Sequence, residues 1–242
     1  MADRSLNIDR DLRLYIIGDI HGRSDLLDRL VDKISRDIDQ HGYRDCLTIT
    51  LGDYIDRGPD SRGVLERLSR NPFPTPYVAL RGNHEILLES FLDNPATAEQ
   101  WRRFGGLETL YSYGVPVGDL LLGKGFEEAA RTMKDAVPPE HRTFLSSLRN
   151  WISVDGCFFC HAGVRPSVPL AQQNVNDLLW IRDEFLNSTQ DYGKMIIHGH
   201  TPNIWPEVKR NRVNIDTGAF ATGRLTCLVI EDRVRGRFLF TE

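Results

Sequence analysis

The stretch "CLTITLGDYIDRGPDS" (residues 46–61) joins an apolar run to a cluster of polar side chains. The run CLTITL is short and contains several β-branched residues, which predicts a buried strand. Directly after it come Asp53, Asp56 and Arg57. A surface turn needs glycine, aspartate and proline, all of which are present, but it does not need two acids and an arginine so close together. The stretch therefore predicts either an ordinary turn or a functional site at the end of a core strand.

Other apolar runs end in the same way, with Gly, Asp, Asn or His. They are "RLYIIGD" (13–19), "YVALRGN" (77–83), "CFFCHAG" (157–163), "KMIIHGH" (194–200) and "RVNIDTG" (212–218). Two final runs, 224–230 and 235–240, predict a hairpin. Their lengths are typical of strands, and the polar residues would collect where the strands end.

Helical patterns separate these runs. One helix is predicted from Ser24, as its N-cap, to Gly42, as its stop. Residues 60–70 and 84–93 predict two more, and residues 96–149 predict a helical insertion rather than a second domain. Alternation of strands and helices predicts an α/β fold with mixed β-sheets flanked by helices. We expect a single domain over residues 1–242.

Composition excludes several classes of protein. The chain has 242 residues, of which 40% are hydrophobic and 26% charged, with a formal net charge of −4. This balance argues against binding to nucleic acid or to an anionic membrane surface. The first residues contain no apolar signal-peptide core, and no run approaches the roughly 18 apolar residues of a membrane span. We therefore expect a cytoplasmic protein without nucleic-acid or membrane partners.

The cysteines predict reduced, buried thiols rather than a disulfide or a zinc site. Cys157 and Cys160 form a C-x-x-C, but residues three apart on a strand point to opposite faces. Cys46 and Cys227 also lie in apolar, strand-like surroundings, where a free cysteine behaves as a small hydrophobic residue.

Potential metal ligands follow five of the predicted strands. They are Asp19 and His21 in "GDIHG", Asp53 in "GDYIDRG", Asn83 in "RGNHE", His161 in "CHAG" and His200 in "HGHT". Each alone is compatible with a turn or a core histidine. Carboxylate, amide and imidazole groups at five strand ends together predict a metal or catalytic site.

The ordered motifs "GDIHG", "GDYIDRG", "RGNHE", "HAG" and "HGHT" resemble those of the PPP-type metallophosphatases. This family comprises the Ser/Thr protein phosphatases and their small bacterial and phage relatives. "NIDTGAF" extends the resemblance to about residue 220. Pro202 stands where the wider metallophosphoesterases usually carry a further histidine ligand, which favours the PPP branch. The resemblance implies the metallophosphatase sandwich fold and a hydrolase of phosphoric esters.

The resemblance also implies roles for individual residues. Asp19 and His21 correspond to ligands of a first metal, Asp53 to a bridging carboxylate, and Asn83, His161 and His200 to ligands of a second metal. His84 corresponds to the catalytic acid, Asp56 to the carboxylate that orients it, and Arg57 and Arg182 to phosphate-binding residues. His198 remains unassigned, and we expect it to pack in the core.

The chemistry of these residue types agrees with the implied roles. Paired divalent ions make hydroxide available at neutral pH, and arginine binds phosphate oxygens through two parallel hydrogen bonds. An imidazolium held by a carboxylate can protonate a leaving alkoxide. Oxygen and nitrogen ligands without thiolate suit Mn, Fe or Zn. We expect two divalent ions, with Mn first and Fe or Zn as alternatives.

Three functions are compatible with the motifs. Asp56 and Glu85 have the forms common in Ser/Thr protein phosphatases, which is the favoured hypothesis. The ending "DTGAFATGRLT" resembles that of symmetrical bis(5'-nucleosyl)-tetraphosphatases, which act on dinucleoside polyphosphates. A non-catalytic metal-binding module ranks last, because no site residue is missing. The substrate would thus be a phosphorylated protein or a small phosphoester, and regulatory partners are not predicted.

Segment 101–115, "WRRFGGLETLYSYGV", belongs to the insertion. Its aromatic residues and paired glycines could border a cleft. The interpretation that we favour is an amphipathic helix packed on the core.

Overall fold

The computed structural model describes residues 5–6, 12–42, 45–231 and 235–242. In this part of the chain the strands are β1 Ser5–Leu6, β2 Leu12–Ile17, β3 Asp45–Thr50, β4 Tyr77–Ala79, β5 Trp151–Val154, β6 Cys157–Cys160, β7 Met195–His198, β8 Glu207–Val208, β9 Arg212–Asn214, β10 Thr226–Glu231 and β11 Arg235–Phe240. The α-helices are α1 Ser24–His41, α2 Ser61–Leu68, α3 Asn83–Asp93, α4 Ala98–Trp101, α5 Gly106–Ser112, α6 Gly118–Leu121, α7 Phe126–Ala136, α8 Pro139–Ser147, α9 Val175–Trp180, α10 Asp183–Leu186 and α11 Ala219–Thr222.

The strands form two mixed sheets. One has the order β1-β5-β6-β7-β9-β8 and the other β11-β10-β2-β3-β4. Strands β2, β3 and β4 are parallel to one another, as are β6, β7 and β9. β10 runs antiparallel to β2 and β11, and β5 runs antiparallel to β6. The carboxyl ends of three parallel strands therefore lie at one edge of each sheet.

The sheets pack face to face, and helices cover their outer faces. Ile16 and Ile49 of one sheet belong to the same buried cluster as Phe159 and Ile197 of the other. On the outer face of the β2 sheet, Tyr15 and Ile17 pack in one cluster with apolar residues of α1, α2 and α3. On the outer face of the β6 sheet, residues of β6 and β7 pack with α9 and α10. The alternation of buried side chains along each strand thus produces four layers, helix–sheet–sheet–helix.

This architecture confirms the predicted α/β sandwich of mixed sheets flanked by helices. The predicted strands occur as β2, β3, β4, β6, β7, β9, β10 and β11, and helices α4 to α8 occupy the predicted insertion. Strands β1, β5 and β8 were not predicted. β8 is only two residues long, which is too short to show a pattern.

Two local expectations need correction. Ser24 is not an N-cap but the first residue of α1, and its hydroxyl donates to Asp60 Oδ2 at 2.5 Å. Gly42 does end α1, in the left-handed conformation with φ of 61°. Of the four free cysteines, Cys160 and Cys227 are buried as expected, whereas Cys46 and Cys157 are only partly buried. Among the described residues, the helices include none with the length and apolar character required to cross a membrane.

Candidate metal centre

The polar residues predicted at the strand ends meet where the two sheets come together. The loop after β7 approaches the loop after β2, and the loop after β4 approaches the loop after β3, so closely that small residues are required. A Cβ atom added at Gly199 would lie 2.0 Å from Asp19 Oδ1, and one added at Gly82 would lie 2.1 Å from Asp53 Oδ1. Glycine is therefore necessary at both positions for the carboxylates to occupy their places.

One group of converging ligand atoms comes from His21, Asp53 and His84, all of them buried. His21 Nδ1 donates to the carbonyl oxygen of Ile55 at 2.8 Å. Its Nε2 consequently carries a free lone pair and lies 3.5 Å from Asp53 Oδ2. His84 Nε2 lies 3.8 Å from the same oxygen.

A second group contains Asp53 again, with His161 and His200. His161 Nδ1 donates to the carbonyl of Leu51 at 2.9 Å, which directs Nε2 into the site. This Nε2 lies 2.9 Å from Asn83 Oδ1 and 3.4 Å from Asp53 Oδ1. His200 Nδ1 also lies 2.9 Å from Asn83 Oδ1. Because Asp53 belongs to both groups, its two oxygens face two adjacent sets of ligands.

Asp19 lies beside the second group. Its Oδ2 accepts the backbone N–H of His200 at 3.0 Å. Among the described residues, Asp19 Oδ1 and the Nε2 atoms of His21 and His200 are buried without a hydrogen-bond partner. A buried polar atom without a partner costs about 1–3 kcal/mol, so these orphaned atoms fit a site that holds cations.

The electrostatics of the site agree with cation binding. Burial lowers the pKa of His21 to about 3 and the pKa of His200 to about 2, so both imidazoles are neutral, as ligands must be. Burial also lowers the pKa of His161, but the carboxylates of Asp53, Asp19 and Glu85 together raise it by more, to about 9. Burial and the nearby Asp216 raise the pKa of Asp19 well above its usual value. The site thus concentrates negative charge that positive charge would stabilise.

His84 and Asp56 form a buried pair next to the converging ligands. His84 Nδ1 donates to Asp56 Oδ2 at 2.6 Å. Burial lowers the pKa of His84, but the carboxylates of Asp53 and Asp56 outweigh this effect, and the net shift is upward. Arg57 Nη2 lies 3.2 Å from His84 Nε2, on the side of the ring away from Asp56. The guanidinium also stacks over Phe220, with its carbon 5.0 Å from the ring centroid.

The backbone at the site is strained. The φ angles are +44° at His21, +52° at Asp53, +72° at Asp56, +66° at Arg57 and +66° at His200. A residue with a Cβ atom adopts positive φ at a cost of about 1–3 kcal/mol when the surrounding structure enforces it. Such strain clusters at functional sites, and here it falls on five of the predicted site residues.

Two further predicted residues have different outcomes. Arg182 is exposed just before α10, and its Nη1 lies 3.3 Å from Thr201 Oγ1. It therefore lies at the rim of the site, beside His200. His198 points elsewhere: its ring centroid is 5.0 Å from that of Phe185, and its Nε2 faces Arg212. This agrees with the expected core position.

Several residues of the site were not predicted as such. Glu85 accepts hydrogen bonds from three backbone N–H groups of the site loops. The sequence pattern Gly82-x-x-Glu85 at the start of α3 could have indicated this role, because it has the spacing of a capping box. Asp216 in "NIDTGAF" is buried near Asp19. Trp101 and Thr109 contact Asp56. Segment 101–115 therefore borders the site as well as packing on the core, so the interpretation favoured from its sequence is incomplete.

The fold and the converging ligands define a metallophosphoesterase. The sequence model for calcineurin-like phosphoesterases matches residues 12–218. Serine/threonine-protein phosphatase 1 of Salmonella typhimurium is 30% identical over 230 residues, which cover 90% of this chain and 92% of that protein. The symmetrical bis(5'-nucleosyl)-tetraphosphatase of Legionella pneumophila strain Philadelphia 1 is 28% identical over 216 residues, covering 87% of this chain and 66% of that protein.

A solved structure of a cold-active protein tyrosine phosphatase has the same fold. It superposes with a TM-score of 0.62 at 15% identity and covers 99% of this chain and 81% of that one. The chain belongs to the calcineurin-like phosphoesterase family and is a hydrolase of phosphoric ester bonds. This confirms the resemblance inferred from the motifs.

Proposed function

We propose that the chain is a metal-dependent serine/threonine protein phosphatase. The observation that carries this proposal is the 2.6 Å hydrogen bond from His84 Nδ1 to the buried Asp56 carboxylate, directly beside the converging ligands of Asp53. An imidazole fixed in this way has the arrangement of a general acid next to a metal centre. The relationship to serine/threonine-protein phosphatase 1 of Salmonella typhimurium supports the choice of substrate.

The metal centre would be held by the residues whose ligand atoms converge. We assign His21, Asp53, His161 and His200 to this role, with Asp53 shared between two ions because it belongs to both groups. We add Asn83, whose Oδ1 lies 2.9 Å from both His161 and His200, and Asp19, whose Oδ1 is buried without a hydrogen-bond partner. His84 belongs to the first group, but its Nδ1 is bonded to Asp56, and we leave it for proton transfer. Divalent cations bound there lower the pKa of water and neutralise phosphate oxygens. The ligand set of oxygen and nitrogen atoms supports Mn, with Fe or Zn as alternatives.

The remaining residues would bind the substrate and move a proton. Arg57 and Arg182 carry guanidinium groups on two sides of the site and can each hold phosphate oxygens through parallel hydrogen bonds. When Arg57 turns toward a phosphate, it leaves His84 Nε2, from which it is 3.2 Å away in this structure. His84, whose pKa the Asp53 and Asp56 carboxylates raise, can then take up a proton at Nε2 and donate it to the leaving oxygen of serine or threonine, while Asp56 keeps Nδ1 in place.

A second candidate substrate is a symmetrical dinucleoside tetraphosphate. Aromatic rings surround the site: the ring centroid of Phe220 is 5.6 Å from that of His21, that of Phe104 is 6.2 Å from that of His84, and that of Trp180 is 6.2 Å from that of His200. Partly exposed aromatic rings can stack on a nucleobase. The Legionella pneumophila tetraphosphatase among the relatives also favours this candidate.

A comparison of turnover with two substrates tests the proposal. Protein stripped of metal and reloaded with Mn would be assayed with a phosphothreonine peptide and with diadenosine tetraphosphate. We expect a kcat/KM at least tenfold higher for the peptide, equivalent to about 1.4 kcal/mol of transition-state discrimination. The reverse preference would replace the phosphatase with the tetraphosphatase, and inactivity toward both substrates would contradict both assignments.

The metal assignment has its own test. Asp53→Asn should reduce bound Mn and activity together, because the amide oxygen cannot replace two carboxylate oxygens facing two sets of ligands. Asp93→Asn, at the exposed end of α3, is the matched control. An Asp53→Asn protein that binds two Mn per chain and retains full activity would refute the shared role.

A further inference from the structure

We propose that Trp101 and Thr109, both from the helical insertion, are positioning residues that fix Asp56 against His84. This inference rests on the proposed role of His84 as the general acid. It gives the insertion a function in the reaction: completion of the buried hydrogen-bond network that orients the acid.

The Asp56 carboxylate is fully buried and accepts hydrogen bonds from three different side chains. Oδ2 accepts from His84 Nδ1 at 2.6 Å and from Trp101 Nε1 at 2.7 Å. Oδ1 accepts from Thr109 Oγ1 at 2.5 Å. Trp101 and Thr109 lie 45 and 53 residues beyond Asp56 in the chain, on either side of the paired glycines. The insertion thus contributes two of the three donors.

The chemistry of the donors determines where the proton of the pair resides. An indole N–H can only donate a hydrogen bond, so Oδ2 of Asp56 must accept from Trp101. The Thr109 hydroxyl accepts from the backbone N–H of Asp56 at 2.9 Å and also lies 2.9 Å from Ser61 Oγ. Since Ser61 Oγ itself accepts from the same backbone N–H, its own hydrogen is available to Thr109, whose hydrogen is left for Asp56 Oδ1. With its oxygens occupied as acceptors, Asp56 holds His84 in the form protonated at Nδ1.

The same contacts hold a strained backbone. Asp56 has a φ of +72°, an unfavourable conformation for a residue with a side chain. Thr109 binds both the backbone N–H and the carboxylate of Asp56, so it fixes the position of the residue at two points. Without these bonds, Asp56 could rotate about its side-chain torsions and carry His84 away from the leaving group.

The sequence between the two donors is adapted to this arrangement. A Cβ atom at Gly106 would lie 2.4 Å from Cδ2 of the Trp101 ring, so α5 can pack against the indole only if glycine is present. Gly105 has a φ of +95°, and its carbonyl accepts the backbone N–H of Arg57 at 3.1 Å. The indole also packs against Phe91, with ring centroids 5.0 Å apart. Trp101 is therefore held in position to donate to Asp56.

Leaving-group dependence tests the inference. A general acid matters when the leaving group is a poor one, such as the phenolate of phenyl phosphate, and much less for 2,4-dinitrophenolate. Trp101→Phe removes the N–H and keeps an aromatic ring. With Mn-loaded enzyme we expect kcat for phenyl phosphate to fall at least about tenfold, which is the smaller effect typical of removing a hydrogen bond that supports a site residue. We expect kcat for 2,4-dinitrophenyl phosphate to change much less. Trp151→Phe, whose ring stacks on Phe158, is the matched control.

Thr109 provides a second, independent pair of variants in case Trp101→Phe does not fold. Thr109→Val keeps the shape and removes the hydroxyl, and it should show the same selective loss with phenyl phosphate. Thr109→Ser restores the hydroxyl and should recover most of the activity. An equal loss with both substrates, or no recovery in Thr109→Ser, would show a merely structural role and overturn the inference.

Nuclear magnetic resonance provides a readout without activity. The chain has four tryptophans, so the indole N–H of Trp101 can be assigned by its disappearance in Trp101→Phe. In metal-free protein, Asp56→Asn should shift this resonance and increase its exchange with solvent, while the other three indole signals remain in place. An unchanged signal would contradict the hydrogen bond.

His84→Asn separates this inference from the proposed function. If His84→Asn does not lose activity selectively with phenyl phosphate, the acid role fails, and the positioning role fails with it. If His84→Asn shows the selective loss and the Trp101 and Thr109 variants do not, only the present inference is overturned.

Discussion

The backbone N–H of Asp53 donates to the side chain of Glu85, with Asp53 N 3.0 Å from Glu85 Oε2. The same oxygen accepts from the N–H of Gly82 at 2.8 Å, and Oε1 accepts from the N–H of Tyr54 at 2.9 Å. One buried carboxylate thus joins the loops after β3 and β4. Because Asp53 has a φ of +52°, this connection stabilises an unfavourable backbone conformation at the centre of the proposed metal site.

Glu85→Gln should weaken both the fold and the metal site. Glutamine offers one acceptor oxygen, and its NH₂ group would face a backbone N–H that needs an acceptor. We expect the free energy of unfolding to fall by about 1–3 kcal/mol, the cost of leaving a buried donor unpaired. Urea denaturation measures this change, and calorimetric titration with Mn measures the metal affinity. Glu89→Gln on the same helix, where the carboxylate is half-buried beside Arg81, is the control. If the two variants have the same free energy of unfolding and the same Mn affinity, Glu85 does not stabilise these loops.

Gly199→Ala should impair metal binding more than it impairs folding. The new Cβ atom would lie 2.0 Å from Asp19 Oδ1, so the carboxylate has to move. We expect Mn affinity to fall at least about tenfold, as for other changes that displace a ligand. Gly156→Ala is the control, because a Cβ atom at this exposed turn meets nothing within 4 Å. Calorimetric titration compares the two variants, and wild-type Mn affinity in Gly199→Ala would exclude Asp19 as a ligand.

Arg57→Ala should reduce phosphate binding without unfolding the chain. The guanidinium lies 3.2 Å from His84 Nε2, where a leaving oxygen would be protonated. A hydrogen bond from a charged group contributes about 2 kcal/mol, and losing that much transition-state stabilisation corresponds to a decrease in kcat/KM of roughly 30-fold. Arg62→Ala, an exposed arginine close by on α2, controls for the lost charge. Steady-state kinetics that give the same kcat/KM for both variants would remove Arg57 from the phosphate site.

The parts of the site visible in the sequence are those built from short contiguous motifs. Asp19, Asp53 and His200 each follow an apolar strand within a few residues, and parallel strands bring such ends to one edge of a sheet. Because this relation between strand ends is general, the sequence alone predicts that these ligands converge. The motif resemblance also predicts that Asp56 orients His84, and the two side chains share a 2.6 Å hydrogen bond.

The supporting residues could not be predicted in this way. Thr109 contacts Asp56 across 53 residues of sequence, and no local pattern states which face of a short helix meets a buried carboxylate. The preference of serine for the N-cap predicts that α1 begins after Ser24, but Asp60 accepts the Ser24 hydroxyl and the helix begins one residue earlier, at Ser24 itself. Tertiary contacts, rather than propensity, decide both cases.

His141 should make stability dependent on pH. It is buried, its Nε2–H donates to Glu66 Oε2 at 3.0 Å, and the Tyr113 hydroxyl donates to its Nδ1 at 2.7 Å. A neutral ring protonated at Nε2 makes both hydrogen bonds. Burial lowers the pKa of His141, and the nearby Arg62 guanidinium lowers it further. The Glu66 and Glu140 carboxylates raise this pKa by less, so the net shift is downward.

The sign of the effect follows from linkage. The pKa in the folded state is lower than the unfolded value of about 6.5, so the unfolded state binds a proton first. The contribution of His141 is complete above about pH 6.5 and is lost as the pH falls through the pKa of the folded state, with a slope of at most about 1.4 kcal/mol per pH unit. Urea denaturation measures the decrease in the free energy of unfolding from pH 7.5 to pH 5.0. We expect this decrease to be smaller for His141→Gln than for the unmodified chain. His41→Gln, at the exposed end of α1, is the control for replacing a histidine elsewhere in the chain. If the pH dependence of His141→Gln equals that of the unmodified chain, the protonation of this histidine does not contribute to stability.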